Sequence, residues 1–197
     1  MNAKEKIIQE TIRMIEENKG ELERITIREI SKRTDISVGL INYHFKNKDR
    51  LIEISVQRII SKIVENYAPK VQIPDGLSEE EAFLYVLIEI ADEVFEYLFS
   101  NPYISKVSIL GDYRNYQDGT NSDSCVKAFS VILARKTSKE QALRTSFYII
   151  SCMQVAFLRA LSMPVFLSYD FRRKEDRRKY LEDLISSVWK GMKQDAI

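Results

Sequence analysis

A single histidine, two cysteines, four prolines and six glycines are spread over 197 residues. His44 alone gives almost no material for a histidine-based metal site. Cys125 and Cys152 lack metal-ligand spacing and are too few for a disulfide framework. No Gly-rich phosphate loop occurs, and Glu89, Glu93 and Glu96 have no Glu-x-x-His companions that would make a helical metal site. The usual enzyme constellations are therefore missing, and a non-enzyme without cofactor or metal is expected. No run approaches membrane-spanning length, and the start MNAKEKIIQE holds no apolar signal core, so a cytoplasmic protein is expected. Excess charge of one sign is absent too. With 30 basic and 29 acidic residues, any nucleic-acid binding depends on basic residues gathering on one face.

What is present is helix. The scarcity of Gly and Pro, with few runs of β-branched alternation, favours an all-α chain. Ile7, Ile8, Thr11, Ile12 and Ile15 recur at helical spacing over 4–18. Thr26-Ile27-Arg28-Glu29 reads as a capping box opening a helix to about Thr34. Asp35-Ile36-Ser37 is a tight connection, with Ser37 as N-cap of a helix over Val38–Phe45. Asn47 caps a fourth helix running towards Asn66. Pro69, Pro74 and Asp75-Gly76 punctuate the chain. Beyond them, helices are expected over Glu79–Phe99, 102–112, 123–137, Lys139–Leu161 and Arg173–Met192, with Asp112–Asp123 as a polar loop. The domains expected are a head over 1–50, connected by a fourth helix at 48–66, and a helical body over 51–197.

Two short helices joined by a three-residue turn have the dimensions of a helix-turn-helix. Ile30, Ile36, Ile41 and Phe45 are spaced to form its small core, and Asp35 tolerates a turn conformation. The second helix then leaves Val38, Gly39, Leu40, Asn42, Tyr43 and His44 for its outer side. Lys46 and Lys48 follow it, while Thr26 and Arg28 lie at the start of the preceding helix. Between Lys32 and Arg50, five basic residues stand against two acidic ones. Each feature taken singly has a plainer reading. Tyr43 suits packing, His44 a structural role, and Lys46, Lys48 and Arg50 a solvated face.

The combination is more specific. Thr26-Ile27-Arg28-Glu29-Ile30, Ile36-Ser37-x-Gly39, and Ile41-x-Tyr43-His44-Phe45-Lys46-x-Lys48-x-x-Leu51 closely resemble the N-terminal domain of TetR-family transcriptional regulators. The resemblance covers about residues 4–55. It implies a three-helix DNA-binding head on a helical ligand-binding and dimerisation body. It also implies a homodimer on a near-palindromic double-stranded DNA operator, usually as a repressor released by a small-molecule effector. By position, the family's phosphate contacts fall on Thr26, Tyr43, His44 and Lys48, and its base contacts on Ser37, Val38, Leu40 and the side bearing Asn42. Two departures stand out: Asn42 replaces a usual tyrosine, and Asp35 a frequent glycine. The alternative function is a helical protein-interaction module without DNA binding.

For the body, expectations rest on apolar stripes and rings. Ile149, Ile150, Met153, Phe157, Leu181, Leu184, Ile185, Val188 and Met192 are the expected dimer face, although either stripe could instead pack into its own subunit. Phe83, Tyr85, Phe95, Tyr113, Tyr116, Phe129 and Phe147 are candidates to line a pocket for an apolar or aromatic effector, and equally material for a ring-rich core.

Overall fold

A computed structural model describes residues 2–19, 21–55, 58, 71–114 and 120–194. Its regular structure is helical apart from one short hairpin. The helices are α1 (Ala3–Glu17), α2 (Ile27–Thr34), α3 (Val38–Phe45), α4 (48–55), α5 (Glu79–Ser100), α6 (Pro102–Arg114), α7 (Asn121–Leu133), α8 (Lys139–Ala160) and α9 (Lys174–Gln194). Strands β1 (Val165–Phe166) and β2 (Tyr169–Asp170) pair antiparallel between α8 and α9. None of the described helices is long and apolar enough to cross a membrane.

Contacts divide the chain into two units, one from residues 1–66 and 101–121, the other from 67–100 and 122–197. In the first, α1, α2 and α3 pack on one another around Ile7, Ile15, Ile25, Ile30, Ile41 and Phe45, all at most 1 % exposed. Burying each such side chain contributes roughly 1.5–3 kcal/mol. Helix α6, assigned to the body by the sequence reading, packs on α1 and places Ile104 and Val107 against this isoleucine core. The buried hydroxyls of Thr11, Thr34 and Ser55 donate to carbonyls one turn back, so they cost the core little.

The second unit is built on mutual packing of α5, α8 and α9. Its centre is a cluster of rings. Phe95 meets Phe99, Phe171 and Tyr180 within centroid distances of 5.1–6.3 Å. A charged layer borders it: Arg177 forks onto Glu96 at 2.5 and 2.7 Å, and Arg178 reaches Glu89 at 2.6 Å and Asp92 at 3.4 Å.

The expected polar loop is shorter than Asp112–Asp123. α6 continues to Arg114 and α7 already begins at Asn121. Asn121 earns its place by donating to the buried Ser108 hydroxyl at 2.9 Å, a contact invisible to composition. Helix α7 stops at Leu133 rather than 137. Ile59, Ile60 and Ile63 of the fourth helix, its stretch from 59 to 66, Pro69, and Tyr116 lie outside the described residues.

Candidate nucleic-acid interface

The helix-turn-helix is assembled by caps at every junction. Thr26 Oγ1 accepts from Glu29 N at 3.2 Å and starts α2. The reciprocal arm of the capping box is not made, because Glu29 accepts from Arg33 Nε at 3.2 Å instead. Asp35 ends α2 in the left-handed region (φ 54°, ψ 36°) and donates its amide to Ser31 O. Ser37 Oγ then accepts from Leu40 N at 3.2 Å and starts α3. Lys46, at φ 65°, closes α3 by donating its amide to Asn42 O at 2.8 Å. Asn47 Oδ1 accepts from Arg50 N at 2.8 Å and launches α4.

These caps fix which side of α3 faces out. Ile41 and Phe45 are 0 % and 1 % exposed, whereas Tyr43 is 81 % exposed. Val38 and Leu40 are exposed, as are Ser37, Gly39 and Asn42. His44 is half-buried, edge-on between the rings of Tyr43 and Phe45. The sequence-derived set thus gathers along one convex helix, continued by exposed Thr26, Arg28 and Lys46. A Cβ added at Gly39 would meet no atom within 4 Å. The protein's own packing therefore does not require a glycine there.

Charge is sorted on the same unit. Arg33 is held by Glu17 at 2.6 Å, Glu29 at 3.2 Å and Glu10 at 3.4 Å, and its hydrogen bond to Glu17 leads in raising its pKa. Arg24 pairs with Glu21 and Arg50 with Glu53. Arg28, Lys32 and Lys46 remain exposed. Lys48 is half-buried, and its Nζ donates to Leu22 O at 3.0 Å, a brace that sequence spacing did not reveal.

Most of the residues expected at a dimer face are covered within the protomer. Ile149, Ile150, Met153, Phe157, Leu181, Ile185 and Met192 are each at most 8 % exposed within the chain itself, with Leu184 and Val188 half-buried. Of this set, Leu184 and Val188 keep the most surface for a second copy to cover. The side of α8 left open carries Leu143, Phe147, Tyr148, Cys152 and Val155 instead. The expected effector residues differ in burial. Phe95 and Phe129 are buried, Tyr85 is half-buried, and Phe83 is half-buried against Trp189. Phe147 is exposed, and Tyr113 is exposed in the other unit. A groove does open between α8 and α9, lined by Gln141, Arg144, Thr145, Tyr148, Val188 and Gly191 among others.

Comparison with known proteins bears on both units. Residues 7–53 match the model of the bacterial regulatory proteins, tetR family. No curated protein matches the chain. A crystal structure of a transcriptional regulator from Rhodococcus sp. Rha1 matches with a TM-score of 0.55 at 15 % identity, covering 96 % of this chain and 97 % of that one. At that identity the likeness concerns the fold, and it spans the helical body as well as the head. With its outward α3, the segment over residues 7–53 is similar to the N-terminal domain of the tetR family of bacterial regulatory proteins, and it supports a DNA-binding transcriptional regulator.

Proposed function

We propose that the protein is a homodimeric repressor that seats α3 of each protomer in successive major grooves of a near-palindromic operator. The observation that carries this reading is the division of α3, with Ile41 and Phe45 in the core and Val38, Leu40, Asn42 and Tyr43 outside. An eight-residue helix covers few base pairs, so two heads on one duplex multiply an individually weak contact. Ser37, Val38, Leu40 and Asn42 supply base-edge contacts, while Thr26, Arg28, Tyr43, His44, Lys46 and Lys48 address phosphates. Gly39 lets a phosphate approach the backbone closely.

The dimer uses the open side of α8, where Phe147, Tyr148 and Val155 are each about half exposed in the protomer. Release is by a small apolar or aromatic effector bound in the ring-rich body, so that DNA and effector select different states of one equilibrium. The head communicates through α4, whose first turn is braced to Leu22 by Lys48.

Selection of bound sites from random duplex DNA tests the reading. The expected product is two inverted half-sites about 10 base pairs apart, centre to centre, or a multiple of that spacing. Affinity should fall steeply as salt rises. Absent or salt-independent binding overturns it in favour of a protein-interaction module.

A further inference from the structure

The hairpin between α8 and α9 is firmly held yet presents aliphatic side chains to solvent. Register pairs Phe166 with Tyr169 and Val165 with Asp170, so each pair shares one face. The inner face is anchored. Phe166 stacks on Phe171 at 4.4 Å, and the Arg159 guanidinium lies 5.2 Å from the Phe166 ring centre. The Tyr169 hydroxyl donates to Asp183 at 2.6 Å. Below the strands, Phe171 N donates to Pro164 O at 2.8 Å, and Asp170 N donates to Asp176 at 2.7 Å.

The outer side is different. Val165 is 53 % exposed and Leu167, at the tip, 70 %. Leu167 and Ser168 both have positive φ, 52° and 65°. Such a two-residue turn favours Asn-Gly, and a leucine there is disfavoured by its own backbone. A lone protomer gains nothing from an aliphatic residue in that conformation, facing water.

We infer that this tip is an interaction surface for a second copy of the same chain, clamping the dimer proposed above, on which the inference rests. Two arguments select that occupant. The first is area. The open apolar row of α8 from Leu143 to Val155 is ~18 Å long and about one helix wide, well short of the ~800 Å² per partner of a stable interface. The adjoining α9 surface offers mostly polar groups, with Glu182, Asp183, Ser187 and Lys190 exposed, so it does not make up the apolar deficit. The second is continuity. At 100° per residue, Leu161 falls on the same side of α8 as Leu143 and Phe147, and is itself exposed. Leu161 and Met163, both exposed, link the α8 row to Val165 and Leu167, with the exposed Arg159 and the Asp170–Arg172 ion pair as a polar border beside them.

Dimer dissociation constants from sedimentation over a dilution series test this in the full-length protein. The double substitution Leu167→Asn with Ser168→Gly gives the turn its preferred residues while removing the aliphatic tip. It should keep or raise the melting temperature and weaken dimerisation at least tenfold. Val165→Glu, on the outer strand face, should weaken it similarly with an unchanged circular dichroism spectrum. A dimeric wild type with unchanged constants in both variants overturns the clamp and leaves the tip to some other partner, with the α8 dimer intact. A wild type that stays monomeric at every concentration overturns the dimer reading and the clamp with it.

Discussion

Lys48 Nζ donates to the carbonyl of Leu22 at 3.0 Å, joining the first turn of α4 to the 3₁₀ turn Leu22–Arg24 that precedes α2. The same ammonium is the one that family position assigns to a phosphate. Three donors on one nitrogen leave room for the proposed phosphate contact beside the brace.

Lys48→Ala should therefore lose two things together. Duplex binding weakens for all sequences, with the slope of log affinity against log salt reduced by about one phosphate contact. Folding stability falls by roughly 1 kcal/mol as the brace is lost. Lys46→Ala, at an exposed side chain, should lower affinity with little change in stability. Salt-titrated anisotropy and urea melts separate the two residues.

Leu40→Ala should alter sequence preference more than general affinity, because Leu40 is 40 % exposed on the outer side of α3 and offers an apolar contact to a base. Binding to the selected operator and to random duplex, measured side by side, checks this. An equal loss on both would place Leu40 on the backbone instead.

Gly39→Ala should stabilise the protein and weaken DNA binding. The added methyl meets no protein atom within 4 Å, and alanine is the better helix former by up to ~1 kcal/mol. If a phosphate approaches the backbone at this turn, the methyl keeps it away. A higher melting temperature with operator affinity down about tenfold is the expected pair of results.

Asp35→Gly should also stabilise, by roughly 0.5–1 kcal/mol, since the left-handed conformation at φ 54° suits glycine better. Unlike the Gly39 change, it should strengthen DNA binding slightly by removing an exposed negative charge near α3. Opposite signs in affinity with the same sign in stability distinguish a cap position from a contact position.

Asp92→Asn should raise stability at neutral pH by about 1 kcal/mol. Asp92 is 9 % exposed, and its Oδ1 has no hydrogen-bond partner. Burial raises its carboxyl pKa, with Arg178 only partly opposing the rise. The folded state thus binds this proton more tightly than the unfolded state, so the stability it contributes is present at low pH and lost as pH rises through the folded pKa. The advantage of the Asn variant should shrink as pH falls towards the ordinary carboxylate range. Thermal melts from pH 4 to 7.5 provide the measurement.

The helix-turn-helix was legible because its instructions are local. Thr26, Ser37 and Asn47 each satisfy amides within three residues of themselves, and Asp35 occupies the one turn position where its short polar side chain is tolerated. Once those junctions are set, helical geometry turns Ile41 and Phe45 inward and Leu40 and Tyr43 outward. Glu29 shows the limit even here. Its partner Arg33 is a second choice that the capping pattern did not anticipate.

For the body, α8 shows what a linear pattern leaves undecided. Ile149, Ile150, Met153 and Phe157 form one apolar side, and Leu143, Phe147, Tyr148 and Val155 another. A helix apolar on both sides can bury either, and only packing against α5 and α9 selected the first. The same holds for α6, whose Ile104 joins a core built from residues Ile7 to Ile52, far earlier in the chain. Sequence alone determined the head, the caps and the outward side of α3, because those depend on neighbours within a turn or two. The tertiary structure alone decided which side of α8 faces water and which core receives α6, because those depend on partners that no local spacing names.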